Sequence, residues 1–203
     1  PVNGTDGIIP SGTTYSWGIP VLTGGMTGGA VGSGASAITG MLNNTSTSFQ
    51  TATYTVIPAT PACTGTAQTV TVSVYPVPTA GISVSGPDRV CYNGATSIQF
   101  TNPQAIPVTI TYNINGLNSA TIDVPANGTA TLPATTNLAG IFNYNLVSVE
   151  YQGTPSCQAL VTGTATVTVE PVTTVVISRS PVGTICYGES VTFTAAVANA
   201  GTN

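Results

Sequence analysis

The sequence predicts an all-β protein made of β-sandwich domains arranged end to end. Three observations support this: strands with strict alternation, the absence of a helical pattern, and an internal repeat. Alternation is clearest in residues 51–56, 69–75 and 164–169, where one set of side chains would face a core and the threonine set would face water. Threonine suits the solvent face because its branched Cβ favours extended backbone. No stretch of eleven residues shows an apolar stripe at helical spacing, so no helices are expected.

The composition excludes several classes of function. Only 4% of the 203 residues are charged, against about 25% in ordinary domains. With no lysine and only Arg89 and Arg179, the chain cannot neutralise a nucleic-acid backbone or bind a membrane through a basic cluster. No apolar run approaches the length of a membrane span. Because histidine is absent, the usual general base is missing. We therefore predict no nucleic-acid partner, no membrane insertion, no cofactor and no enzymatic activity.

An internal repeat decides the predicted domain organisation. Its landmarks are Cys91 and Cys186, Pro76 and Pro171, and Trp17 and Tyr112, each pair 95 residues apart, and Cys63 and Cys157, which are 94 apart. A unit of about 95 residues has the size of an immunoglobulin-type sandwich. Independent landmarks that agree on one period indicate a real repeat.

The repeat divides the chain into three predicted units. Residues 79–173 form a complete sandwich, residues 1–78 form a sandwich that lacks its first strand, and residues 174–203 are the opening strands of a third. The junctions at 76–78 and 171–173 are short and contain proline, which fixes φ and limits bending. The units are therefore expected to stack as a semi-rigid rod. Since the N-terminus resembles no signal peptide, the chain is expected to be a mature product or a piece of something longer.

A complete unit is expected to contain two cysteines, an early one at the position of Cys91 and Cys186 and a late one at the position of Cys63 and Cys157. This arrangement predicts a Cys91–Cys157 disulfide that stabilises the complete unit by roughly 4 kcal/mol on the chain-entropy model. Cys63 and Cys186 would then pair outside this segment or between molecules. Zinc is the competing interpretation, but it requires close-spaced pairs such as C-x₂-C, which the sequence lacks. The third interpretation is that the cysteines are unpaired structural thiols. Disulfides would indicate an extracellular setting.

Other candidate sites each have a structural interpretation. The carboxylates are scattered, at Asp6, Asp88, Asp123, Glu150, Glu170 and Glu189. Calcium between domains needs six to eight oxygens, so we predict solvated single charges and no metal site. The glycine-rich residues 24–34 predict a long flexible connection, with a partner-binding loop as the alternative. Trp17 and Tyr112 occupy matched repeat positions, which favours a core role over a sugar-stacking platform.

Several of these segments together resemble a known family. They are residues 1–17 (PVNGTDGIIPSGTTYSW), the glycine-rich residues 23–40, the alternating residues 52–56 and the closing Val-Thr ladder. This pattern resembles the PKD-like domains found in tandem in very large surface proteins of Bacteroidota. The second unit and the third fragment are similar to the Ig-like repeats that accompany them. The resemblance implies an adhesin or gliding-motility filament exported by the type IX secretion route, and it brings no catalytic or ligand residues.

The function predicted on these grounds is structural. The chain would be part of the stalk of a long adhesin or motility filament at the extracellular cell surface, with neighbouring sandwiches of the same or an adjacent chain as partners. One alternative is a binding module whose loops recognise a glycan or a partner protein. A second alternative is a filament subunit that polymerises by strand complementation. In that case residues 174–203 would complete the first sandwich of the next subunit and pair Cys186 with Cys63.

Overall fold

The computed structural model describes residues 9–198, which form β-strands joined by turns and contain no helix. The strands in chain order are β1 (Thr14–Trp17), β2 (Val21–Leu22), β3 (Thr27–Gly28), β4 (Gly32–Ala35), β5 (Leu42–Asn43), β6 (Gln50–Ala59), β7 (Gln68–Val74), β8 (Gly81–Ser85), β9 (Arg89–Cys91), β10 (Ser97–Asn102), β11 (Val108–Ile114), β12 (Leu117–Val124), β13 (Gly128–Pro133), β14 (Gly140–Tyr151), β15 (Gln158–Leu160), β16 (Thr164–Glu170), β17 (Thr174–Ser180) and β18 (Thr192–Ala198). The predicted all-β fold class is confirmed. In this part of the chain no helix is long and apolar enough to cross a membrane.

The first sheet is built around β6. Strands β1 and β2 pair with one edge of β6, β7 pairs with the other, and β4 pairs with β1. Alternation along β6 points Ala52, Tyr54 and Val56 inward, where they join Trp17 and Met26 in a small core. The intervening threonines face the other side of the sheet. The two-residue strands β3 and β5 pair with each other beside this sheet.

The middle sandwich, defined as β8 to β16, consists of two sheets. One has the order β12-β11-β14-β16-β9 with β15 on β14, and the other has the order β13-β10-β8. Inward residues of both sheets form one core, which includes Phe100 of β10 and Val167 of β16. The Phe100 ring packs against Tyr112 of the facing sheet, with ring centroids 5.0 Å apart. The period-two pattern of both strands places these side chains between the layers.

Strand registers follow the repeat found in the sequence. The tail hairpin, defined as β17 and β18, pairs Ile177 with Ala195 and Arg179 with Phe193. In β8 and β10 of the middle sandwich, the residues 95 positions earlier pair in the same way, Ile82 with Phe100 and Val84 with Ile98. Trp17 and Tyr112 each pair with the long strand next to them, Trp17 with Val56 and Tyr112 with Leu146, but Val56 and Leu146 are 90 and not 95 positions apart. The exact boundaries at residues 78 and 173 stay a prediction.

The predicted Cys91–Cys157 disulfide is not formed in the structure. These two cysteines are free thiols, as are Cys63 and Cys186. In the pairing of β9 with β16, Cys91 lies opposite Glu170, at the end of the sandwich where β14 begins. Cys157 lies at the other end, where its carbonyl accepts a hydrogen bond of 3.0 Å from the Tyr151 amide. A twelve-residue strand is roughly 36 Å long, whereas bridged cysteines have Cα atoms within about 7 Å. The early and late cysteines of one sandwich therefore lie at opposite ends and cannot staple it.

Candidate functional site

The charged residues in the described part of the chain are scattered, and Arg89 and Glu170 form an ion pair. Arg89 Nε donates to Glu170 Oε1 at 2.6 Å, where β9 runs parallel to β16. Asp123 accepts a hydrogen bond from the Thr109 hydroxyl, and Glu189 accepts one from the Cys186 amide. Across residues 9–198 no three Cys, Asp or Glu side chains come close enough to hold a metal ion. Asp6 lies outside the described residues.

The predicted core role of Trp17 and Tyr112 is confirmed, since both side chains are buried. The Trp17 indole Nε1 donates to the Ala30 carbonyl at 2.9 Å. The glycine-rich segment differs from its prediction, because it contributes the short strands β3 and β4 instead of one long unpaired connection. A Cβ atom on Gly32 would lie 2.1 Å from the Trp17 ring. Glycine is needed there so that the indole can pack directly on the β4 backbone.

An aromatic contact joins the first sheet to the middle sandwich. The ring of Tyr75, directly after β7, has its centroid 6.2 Å from Phe49 and 6.0 Å from Tyr151. Tyr75 also packs against the core of the middle sandwich. Tilted aromatic pairs at such distances each stabilise a contact by about 0.5–1.5 kcal/mol beyond the area they bury. Tyr75, the residue directly after the last strand of the first sheet, is therefore already packed on the middle sandwich.

A buried glutamine holds the segment between the two cores. Gln104 is 2% exposed, and its Nε2 donates to the Val77 carbonyl at 2.8 Å while its Oε1 accepts from the Thr79 amide at 2.9 Å. Its own backbone is positioned by Asn102, whose Oδ1 accepts from the Gln104 amide at 3.0 Å. Pro78 is among the fully buried side chains. Residues 77–79 are therefore docked on the middle sandwich. We call this docked segment, with Tyr75, Gln104 and Tyr151, the junction.

Sequence reasoning missed Gln104 and Tyr151. Gln104 stands in a Thr-Asn-Pro-Gln segment that has the composition of an ordinary turn. Gln104 and Thr79 are 25 residues apart, so no local sequence pattern connects them. A usable signal was the aromatic residue Tyr75, which directly precedes Pro76 at the start of the proline-containing segment.

The ionisation of Tyr151 should make the junction sensitive to alkaline pH. Burial, with a smaller contribution from Cys157, raises the pKa of Tyr151 to about 12, and the nearby Gln104 side chain partly offsets the rise. An unfolded tyrosine ionises near pH 10. The contribution of the neutral Tyr151 side chain to the stability of the folded chain is therefore fully present below about pH 10. It is lost as the pH rises toward 12, because the unfolded chain releases the Tyr151 proton at a lower pH than the folded chain does.

We expect the melting temperature of the native chain to fall above about pH 10 and that of Tyr151→Phe to fall less, as measured by differential scanning calorimetry. Tyr187→Phe, which changes an exposed tyrosine, is the control and should follow the native profile. Identical profiles for all three proteins would show that Tyr151 does not control the alkaline transition.

The inward face of β7 lacks the cover that its counterpart in the middle sandwich has. Val70 and Val72 are 42% and 39% exposed, whereas Ala165 and Val167, at the matched positions of β16, are 4% and 0% exposed. We call the exposed inward side of β7 the uncovered face. A cavity of about 340 Å³ opens on it, lined in part by Tyr15, Trp17 and Val70. Within the described residues β7 pairs only with β6, which leaves its second edge free.

Parts of the chain are similar to known proteins. Residues 3–78 match the family model of the PKD-like domain, so the resemblance of the first unit to that family is confirmed. Among solved structures, the chain is similar to a CARDB domain from Pyrococcus furiosus crystallised in complex with di-metal ions. The identity is 18%, the match covers 47% of this chain and 96% of that domain, and the TM-score is 0.28; at that score the likeness carries no argument. No curated protein matches the chain.

Proposed function

We propose that this chain is a structural segment of a long extracellular protein, in which consecutive β-sandwiches span distance. Three findings support the proposal: the PKD-like match of residues 3–78, the repeated strand registers and the docked junction. The specific form that we propose is the stalk of a cell-surface adhesin or gliding-motility filament of a Bacteroidota species, exported by type IX secretion. That assignment rests on the sequence resemblance.

The observation that carries the proposal is the way in which Gln104 binds the connecting segment. Domains joined by a free linker change their orientation easily. Here the Val77 carbonyl and the Thr79 amide are both hydrogen-bonded to one buried side chain, and Tyr75 contacts aromatic rings on both sides. Rotation about the segment would break these contacts together. A stalk requires such a fixed orientation between neighbours.

The outer faces of the sheets fit an extracellular rod. Threonine and asparagine side chains form ladders across strands, with Thr166 Oγ1 donating to Asn143 Oδ1 and Thr164 Oγ1 donating to Asn145 Oδ1, both at 2.9 Å. Such ladders cover the sheet with neutral polar groups that bond to one another. Trypsin-like proteases cut after lysine or arginine, and the chain contains two such residues in all.

Single-molecule force spectroscopy tests the stalk function on the full chain held at both ends. We expect the middle sandwich to resist and then unfold in one step. Unravelling the 95 residues that the repeat assigns to it should release roughly 310–340 Å of contour length, less its folded span. Extension without a distinct unfolding peak would contradict a load-bearing role.

A binding module is the second candidate function. The cavity on the uncovered face, with Tyr15 and Trp17 in its lining, favours it because aromatic walls are common in ligand sites. A glycan or protein ligand that raises the melting temperature, with binding lost in Tyr15→Ala, would favour this candidate over the stalk.

A further inference from the structure

We propose that Asn44 is a positioning residue that fixes the orientation of the first sheet relative to the middle sandwich. Gln104 binds the connecting segment from the side of the middle sandwich, and Asn44 binds the start of the same segment from the side of the first sheet. The inference rests on the proposed structural function, and it names the residue through which the first sheet takes part in that function.

Asn44 lies in the loop between β5 and β6, and its buried side-chain amide is fully hydrogen-bonded. The residue is 5% exposed. Its Nδ2 donates to the Val74 carbonyl at 2.7 Å and to the Ser48 carbonyl at 2.9 Å. Its Oδ1 accepts from the Ser46 amide at 3.0 Å and from the Ser46 hydroxyl at 2.7 Å. Both amide hydrogens are therefore used on carbonyl groups, and the bonds to Ser46 hold the side chain in the orientation that this requires.

The two carbonyl groups that Asn44 binds belong to the residues directly before Phe49 and Tyr75. The ring centroids of Phe49 and Tyr75 are 6.2 Å apart, and the Tyr75 ring in turn lies 6.0 Å from that of Tyr151 in the middle sandwich. One NH₂ group therefore fixes the backbone of both aromatic residues on the side of the first sheet. The pairing of β6 with β7 ends at Val74, so this bond holds the chain at the point where it leaves the sheet.

The same bonding pattern occurs on the other side of the junction. Asn102 is 2% exposed, and its Oδ1 accepts from the amide of Gln104, two residues later. Its Nδ2 donates to the carbonyl of Ile106, four residues later, and to the distant carbonyl of Pro125. Asn44 likewise binds groups two and four residues later and one distant carbonyl. Each domain thus places one such asparagine at the junction.

Bonds from both domains converge on one short segment. The Val74 carbonyl is held by the first sheet, whereas the Val77 carbonyl and the Thr79 amide are held by the middle sandwich. Between the two attachments lies Pro76, whose ring fixes φ. Because little free backbone remains, we expect the first sheet to turn only when the bond to Val74 breaks.

Asn44→Asp tests this role with almost no change of shape. At neutral pH the carboxylate still accepts hydrogen bonds but donates none, so it would present an oxygen to the Val74 carbonyl. Single-molecule fluorescence energy transfer between dyes on the exposed thiols of Cys63 and Cys91 reports the distance from the first sheet to the far end of the middle sandwich. Cys157→Ser and Cys186→Ser remove the other two thiols in every protein compared.

We expect one narrow distance distribution for the chain with native Asn44. The fraction of molecules outside that peak should rise on the order of tenfold in Asn44→Asp, because a partly buried hydrogen bond is replaced by a repulsive contact between oxygens. Asn43→Asp is the matched control, since it adds the same charge at the exposed neighbouring residue, and it should keep the narrow distribution. Trp17, the single tryptophan, belongs to the first core, and its emission in the unlabelled proteins should be the same in both variants.

The possible results separate this inference from the stalk proposal. An unchanged distance distribution in Asn44→Asp would overturn the inference and leave the stalk proposal standing. A broader distribution together with altered Trp17 emission would also overturn it, because Asn44 would then act by supporting the first core. A broad distribution in the protein with native Asn44 would instead contradict the fixed orientation on which the stalk proposal depends.

Discussion

Phe100→Ala should destabilise the middle sandwich by about 3–5 kcal/mol, the usual cost of removing a large buried aromatic side chain. Phe100 is 0% exposed and packs on Tyr112 across the two sheets, so its removal leaves a cavity at the centre of the core. Urea unfolding followed by circular dichroism should show a lower midpoint with little change in slope.

A second phenylalanine supplies the control for this experiment. Phe193 lies on β18, the repeat counterpart of β10, but is exposed in the single chain. Under dilute conditions that keep the chain monomeric, Phe193→Ala should change the free energy of unfolding by less than about 0.5 kcal/mol. Equal losses from the two substitutions would mean that the core does not lie between the sheets as described.

Gln104→Leu should release the junction while leaving the core of the middle sandwich intact. The substitution keeps a similar volume but leaves the Val77 carbonyl and the Thr79 amide without their partner. Both hydrogen bonds are partly buried, and such a bond contributes about 0.5–1.5 kcal/mol net. The docked state of the segment should therefore lose about 1–3 kcal/mol, at least as much as one of its aromatic contacts contributes.

Two measurements detect this loosening. The Thr79 amide, which donates to Gln104 Oε1, should exchange its hydrogen on the order of ten times faster in Gln104→Leu, since an undocked segment with a loss of even 1.4 kcal/mol opens ten times more often. Small-angle X-ray scattering should show a broader distribution of distances. Gln158→Leu, at an exposed site on β15, is the control. Unchanged hydrogen exchange and scattering in the Gln104 variant would show that another contact holds the junction.

Alternation in the sequence was sufficient to predict strands such as β6, β7 and β16, because successive side chains of a strand face opposite sides of its sheet. In β6 and β16 one of these sides is buried. It was not sufficient to predict which ends of the sandwich the cysteines occupy. β9 runs parallel to β16 and β16 runs antiparallel to β14, so Cys91 and the turn after β14 lie at opposite ends. Strand direction depends on the whole topology, and the spacing of two cysteines contains no information about it.

The contacts of the junction and of the glycine-rich segment could not be predicted from the sequence, for a related reason. Gln104 acts on a segment 25 residues away, and Gly32 matters because the Trp17 ring lies against it. Both are long-range contacts whose partners are set only once the sheets have packed. A glycine-rich composition indicates freedom of the backbone, but here part of that freedom serves close packing and not motion.

The parallel pairing of β9 with β16 has a mechanical consequence. The chain enters the middle sandwich near β8 and leaves it after β16, and Arg89–Cys91 is bonded alongside Thr168–Glu170 near the exit. A pull on the two termini drags these neighbouring strands past each other lengthwise. Their hydrogen bonds are then loaded in shear and must fail together, whereas a hairpin pulled open from its ends would unzip one bond at a time.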